Sequence, residues 1–128
     1  MSGRRYFLDT NAIVQLLSGN QSLLTTLAGA AYVATSVICE LEFLSFPGLS
    51  AEDRALFGQF IASVEVVDLC SADLALREQV LAFRSDRKLR LPDAVIAASS
   101  TVHECTLLTA DTQVLKTPGL AAEAYPVM

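Results

Sequence analysis

The sequence predicts an α/β fold in three layers, α/β/α, around a central, mainly parallel sheet of four to five strands. Two observations carry this. Short runs rich in apolar, β-branched and aromatic residues alternate along the chain with helical patterns. Parallel crossovers are right-handed, which puts helices on both faces of the sheet. The 128 residues, 52% hydrophobic and 18% charged, suit a single domain over residues 1–128 with a substantial core, and they exclude a disordered tail.

The elements follow in order. "RRYFLDTN" is an apolar run ending in polar turn residues, which predicts a first strand at residues 6–8. "AIVQLLSGN" reads as a short helix closed by Gly19, and "QSLLTTLAGA" as a second with Asn20 as its N-cap. "AYVAT" gives a second strand at residues 32–34, and "SVICELEFLSF" a helix stopped by Pro47 and Gly48. Ser50 can cap "AEDRALFGQFIA", and "VEVVDL" is a third strand. Ser71 can cap a long helix, "ADLALREQVLAFRSDRK", and "PDAVIAASSTVHE" is the next. Pro92 suits the first position of that helix, where a missing N–H costs nothing. "TLLT" is a fourth strand and "ADTQVLK" a short helical turn. "AEAYPV" is a fifth strand confined to the edge, because Pro126 cannot donate to a ladder.

No apolar run spans a bilayer and no signal-peptide pattern opens the chain, so a soluble, cytoplasmic protein without membrane contact is expected. The three cysteines, Cys39, Cys70 and Cys105, lack CxxC spacing. They read as reduced, mostly buried thiols rather than a zinc site or disulfide framework. One histidine, His103, and no tryptophan exclude a histidine-rich metal cage, and His103 reads as a surface or helix-end residue. A net charge of −5 counts against simple electrostatic DNA binding. The charge is uneven, however: "RSDRKLR", residues 84–90, holds four of the nine Lys and Arg side chains. Locally this is the solvated end of a helix. Functionally it is a phosphate-contacting patch, with Arg87, Lys88 and Arg90 as the candidates.

In open α/β sheets, ligands bind beyond the carboxyl ends of the strands. Asp9 ends the first strand, Asp111 follows the fourth, Glu40 and Glu42 lie on the helix after the second, and Asp93 opens the helix leading into the fourth. Each has a local reading: an Asx turn for Asp9, a cap for Asp111, a helix-dipole contact for Asp93, solvated helix positions for the glutamates. Together they would converge, and clustered carboxylates repel. A divalent cation removes that conflict, and oxygen-only ligands suit Mg2+ or Mn2+. The chemistry this suggests is metal-assisted phosphodiester hydrolysis. Glu40 and Glu42 point about 200° apart on a helix, and apolar periodicity does not choose between them.

"FLDTN", "SVICELEFLSF", "LRLPDAVIAAS" and "LLTAD", in this order and spacing, resemble the PIN-domain ribonucleases, most closely the VapC-like toxins of toxin–antitoxin pairs. The resemblance implies that Asp9, Glu42, Asp93 and Asp111 are catalytic and surround Mg2+ or Mn2+. The family's second motif commonly reads Ser-x-Ile-Thr-x-x-Glu-Leu. Ser36, Ile38 and Glu42 match it, which favours Glu42 over Glu40; Cys39 replaces the Thr and so removes a hydroxyl, and Phe43 replaces the Leu. Asn11, Ser36 and Thr109 match polar positions that support the acids. A homodimer, an RNA substrate and a cognate antitoxin whose C-terminal segment blocks the site are implied as well. The expected function is therefore a metal-dependent endoribonuclease acting as a toxin. Two alternatives are a receiver-like, Mg2+-binding phosphoacceptor domain, for which Asp68 could be the acceptor but Asp9 has no acidic neighbour and Lys116 lies in a short turn rather than at a strand end, and a catalytically silent PIN fold that only binds a partner, against which the intact set of acids argues.

Overall fold

A computed structural model describes residues 3–127. Its five strands are β1 (Arg5–Leu8), β2 (Tyr32–Ser36), β3 (Glu65–Val67), β4 (Thr106–Leu108) and β5 (Ala122–Glu123). All pair in parallel, in the order β3-β2-β1-β4-β5. The helices are α1 (Thr10–Leu17), α2 (Gln21–Ala28), α3 (Val37–Leu44), α4 (Ala51–Ser63), α5 (Leu74–Ser85), α6 (Leu91–Val102) and α7 (Thr112–Leu115).

This order decides where a site can form. The chain moves outward from β1 through β2 to β3, then returns through α5 and α6 to place β4 on the other side of β1. The direction of winding reverses between β1 and β4, and a crevice opens where neighbouring connections leave toward opposite faces. In register, Leu8 pairs with both Thr35 and Leu108. Asp9 and Thr109, one step beyond, therefore leave adjacent strands at the same level.

The sheet lies at the middle of the apolar core, with Phe7 and Leu8 fully buried on the central strand. One buried cluster joins it to the first four helices through Ile13, Leu23, Phe43, Phe57 and Phe60. Phe43 and Phe57 stack with centroids 4.2 Å apart and planes 6° apart, fixing α3 against α4. A second cluster joins α5 to α6 through Leu76, Val80, Phe83, Leu89 and Val95. In α6 every residue from Ala94 to Ser100 is buried. A helix enclosed on all sides needs small side chains to be approached closely, and Ala94, Ala97, Ala98, Ser99 and Ser100 supply them.

Local chemistry explains most element boundaries. Gly19, at φ +91°, takes the left-handed turn that ends α1. Asn20 caps α2 by accepting from Leu23 N at 3.2 Å, and its Nδ2 donates to Pro126 O at 2.6 Å, tying the C-terminal run to the start of α2. Ser50 and Asp53 form a capping box on α4.

Several boundaries differ from the sequence reading. Asp73, not Ser71, caps α5, accepting from Leu76 N at 3.1 Å. A turn closed by Asp73 N on Cys70 O at 3.1 Å leaves Ser71 outside the helix. That helix also ends at Ser85, before the basic run is complete. Leu89 must turn inward to be buried, at 2% exposure, and Lys88 adopts φ +61° to let it. Pro92 occupies the second position of α6, after Leu91, rather than the first. β2 extends to Ser36, and β5 is an edge strand of two residues that stops before Pro126. Cys39 and Cys105 are buried, but Cys70 is exposed. His103 ends α6 as its C-cap. Among the described residues, no helix is long and apolar enough to cross a membrane.

Candidate active site

A cleft of about 220 Å³ opens beyond the ends of β1 and β4, and Asp9, Asn11, Glu42, Asp93 and Asp111 all line it. Four separate segments deliver the acids. Asp9 is the residue between β1 and α1 and caps that helix, with Oδ1 accepting from Ala12 N at 2.8 Å. Asp111 caps α7, with Oδ1 accepting from Gln113 N at 2.8 Å and Val114 N at 3.3 Å. Asp93 lies in the first turn of α6, and Glu42 on α3. The local and the joint readings of these acids are thus compatible. A carboxylate that caps a helix with one oxygen is oriented by that bond and still has further acceptor sites.

Polar neighbours hold the acids in turn. Thr109, fully buried, accepts from Asp111 N at 3.1 Å, and its hydroxyl hydrogen-bonds toward Asp9. One side chain therefore links the acids of the two central strands. Thr10 Oγ1 donates to Glu42 Oε1 at 2.6 Å. Glu40 is not among the residues lining the cleft. Ser36 lies outside it too: it is buried as the N-cap of α3, accepting from Ile38 N at 3.0 Å. Cys39, also buried, places its thiol 3.7 Å from Leu8 O, beneath the end of β1.

The electrostatics are those of crowded carboxylates. Burial pushes the Asp9 carboxyl above its ordinary range, and the charges of Asp111 and Asp93 push the same way; the bonds from Thr109 and Ala12 oppose them. Burial also raises Asp93, with Asp111 and Glu42 adding to it, while Arg90 pulls it down. The Arg90–Asp93 pair is long, 3.6 Å, and its arginine side chain is 84% exposed, so solvent screens most of its attraction.

These donors suit a hard divalent cation, since all are carboxylate oxygens and the cleft holds no thiol or imidazole. As they stand, no three His, Cys, Asp or Glu side chains among the described residues are grouped closely enough to hold one. Glu42 is held by Thr10, and Asp9 and Asp111 lean on their own helices.

The three basic candidates divide. Arg90 lines the cleft, Arg87 lines a separate groove beside it, and Lys88 lines neither. Sequence reasoning missed Thr10, although it directly follows Asp9, and the apolar wall of Phe46, Ile96 and Val114. Nothing in local periodicity marks those three, because they come from different elements.

A model of the PIN domain matches residues 6–120, a span that contains all four acids. The chain belongs to the PIN-domain family. No curated protein matches it in sequence. Among solved structures, this PIN domain is similar to a chain of a toxin–antitoxin complex from Klebsiella pneumoniae, at 22% identity over 92% of this chain and 95% of that one, with a TM-score of 0.76. It is similar to a chain of VapBC2 from Rickettsia felis, bound to a DNA fragment from their promoter, at 21% identity over 95% and 99%, with a TM-score of 0.75. DNA-bound VapBC from Salmonella typhimurium gives 18% identity over 94% and 98%, with a TM-score of 0.71. At these identities the likeness is one of fold. The PIN-domain strand order also disfavours the receiver-like alternative. β2 separates β3 from β1, so Asp68, just past β3, leaves the sheet at its edge, away from Asp9. Receiver sheets follow the order 2-1-3-4-5.

Proposed function

We propose that this PIN domain is a metal-dependent endoribonuclease that hydrolyses RNA phosphodiester bonds, and that it is the VapC-like toxin of a toxin–antitoxin pair. The observation that carries the reading is the arrival of Asp9, Glu42, Asp93 and Asp111, from four segments, in one cleft at the point where the winding of the sheet reverses. Mg2+ or Mn2+ would be held by these four, with Glu42 rather than Glu40 as the glutamate. When bound, the ion supplies Lewis acidity and charge neutralisation to a phosphodiester.

The chain's own residues supply the rest. Thr109 and the α1 cap orient Asp9, Thr10 orients Glu42, and Asn11 offers a polar group at the cleft mouth. Phe46, Ile96 and Val114 give the cleft an apolar wall that limits water. Arg90, with Arg87 and Lys88 near it in sequence, offers positive charge to a polyanion that the rest of a protein of charge −5 repels. The toxin–antitoxin complexes among the structural neighbours support an antitoxin as partner; a homodimer completes the proposal.

The test is cleavage of single-stranded RNA by the purified chain with Mg2+, with Mn2+ and with EDTA. Cleavage is expected only with metal. Asp9→Asn should lower it by roughly 100-fold or more, since metal catalysis contributes several kcal/mol and each 1.36 kcal/mol is tenfold in rate. Induced expression should arrest growth with the native chain and not with Asp9→Asn. Cleavage that persists in EDTA, or in Asp9→Asn, defeats the reading.

A further inference from the structure

Beside the carboxylate cleft lies a second groove of about 360 Å³, lined by Arg87, Thr112, Gln113, Lys116, Thr117 and Pro118. It is opposite in character, with two cations and no carboxylate in its lining. The cleft and the groove share α7 as their dividing wall: Val114 faces the cleft, whereas Thr112 and Gln113 face the groove. A helix with its side chains is about 10–12 Å across. At roughly 3.4 Å or more of strand per nucleotide, a single strand passes from one to the other within about three nucleotides.

Arg87 is held ready in that groove. Its Nε donates to Pro118 O at 3.1 Å, and its guanidinium lies 5.9 Å from the centre of the Phe83 ring. The chain passes close enough that a Cβ on Gly119, at φ +79°, would meet Arg87 Nη2 at 3.2 Å. Its approach to Asp86 is long, 3.4 Å. A guanidinium fixed in this way loses little freedom on meeting an anion and keeps donors to offer it. Lys116 is exposed and, among the described residues, its side chain makes no ion pair or hydrogen bond. Two other cations are committed elsewhere: Arg4 pairs with Glu123, and Arg5 lies 4.0 Å from the centre of the Tyr32 ring and donates to His103 O.

We propose that the groove of Arg87 and Lys116 is a second phosphate subsite, which holds the backbone of single-stranded RNA about three nucleotides or fewer from the bond in the carboxylate cleft. It rests on the ribonuclease reading and adds to it Lys116, which lies outside the PIN motifs quoted above, and a direction for the strand across α7. Thr112 and Gln113 contribute neutral donors. The subsite reads backbone charge, not base identity.

The test measures binding of a short, mixed-sequence, single-stranded oligoribonucleotide across a salt series. The full chain is used with Mg2+ in an Asp9→Asn background that prevents turnover. Combining Arg87→Ala with Lys116→Ala should flatten the plot of log affinity against log salt by about 0.7 for each phosphate no longer neutralised, roughly 1.4 for the pair. Lys116→Glu alone should weaken binding further than Lys116→Ala. Because the Lys116 side chain has no internal partner, that variant keeps the question answerable even if Arg87→Ala melts early. Arg54→Ala, which removes a positive charge from α4 outside the groove, should leave the slope unchanged. An unchanged slope in the double variant overturns the subsite, and so does an equal effect in Arg54→Ala, which would show diffuse charge only. Loss of antitoxin binding with RNA binding intact overturns it too, and makes the groove a partner surface. Failure of the ribonuclease reading looks different: the native chain then cleaves no RNA with either metal.

Discussion

Asp9 has two roles, and one of them costs stability. Burial, together with the charges of Asp111 and Asp93, raises its carboxyl above the ordinary range. A carboxyl raised by folding means that the folded state holds the proton more tightly than the unfolded one. The resulting stabilisation is complete below the unfolded value and is lost as pH rises through the folded value. At neutral pH without metal, the ionised Asp9 therefore weakens the fold. Asn keeps an oxygen for Ala12 N and caps a helix as well as Asp does. In EDTA, Asp9→Asn should melt above the native chain at neutral pH, and the gap should close as pH falls toward about 4, the ordinary Asp value. Thermal melts at stepped pH check this, and equal midpoints at neutral pH would show that the burial is free of cost. Glu42 and Glu40 separate by a different measurement. Glu42→Gln should reduce RNA cleavage by roughly tenfold or more, the usual scale for disturbing metal ligation, and Glu40→Gln should change it little. The reverse order would put the wrong glutamate at the cleft. The spacing from Ser36 distinguished the two through the family motif; periodicity could not, because α3 has apolar residues around most of its circumference.

At the scale of elements, the sequence exposed helix bodies better than helix starts. "LCSADLAL" offers two capping residues two positions apart, and both satisfy the same local rule. The turn that closes on Cys70 O selects Asp73, and that turn is visible only in three dimensions. Asp73→Ala should lower stability by about 1 kcal/mol, and Ser71→Ala should stay within about 0.5 kcal/mol, both measurable by denaturant unfolding. A larger loss from Ser71→Ala would move the start of α5 back. The run "DAVIAASS" identifies a helix, yet its burial on every side depends on α5, α3 and the sheet closing around it. Ala97→Leu would force extra volume into that space, and a cost of about 1–3 kcal/mol is expected. A neutral result would mean that α6 is loosely enclosed.

For the whole molecule, the alternation of strands and helices was legible, but the order of the strands was not. No residue pattern says that β4 must lie beside β1 rather than beside β3; shape and the burial of both faces decide it. That order brings Asp111 next to Asp9. The motif residues were therefore readable as a set, whereas the groove of Arg87 and Lys116 was not, since it forms only when the turn after α5 returns to meet α7. Ending the chain at residue 100 would remove β4 and leave β1 with an open edge. Such a chain should be digested by protease at concentrations that leave the full chain intact, and survival of a fragment holding β1 and β2 would show that the first half folds alone.

The same pairing has a consequence in time. A ribosome delivers Asp9 well before Asp111, and the two meet only after β4 slots in between β1 and β5. Contacts so distant in sequence form late. If the acids together cut RNA, the nascent chain is harmless to the transcript and ribosome producing it until β4 has emerged, because the blade is assembled from segments far apart in the polypeptide.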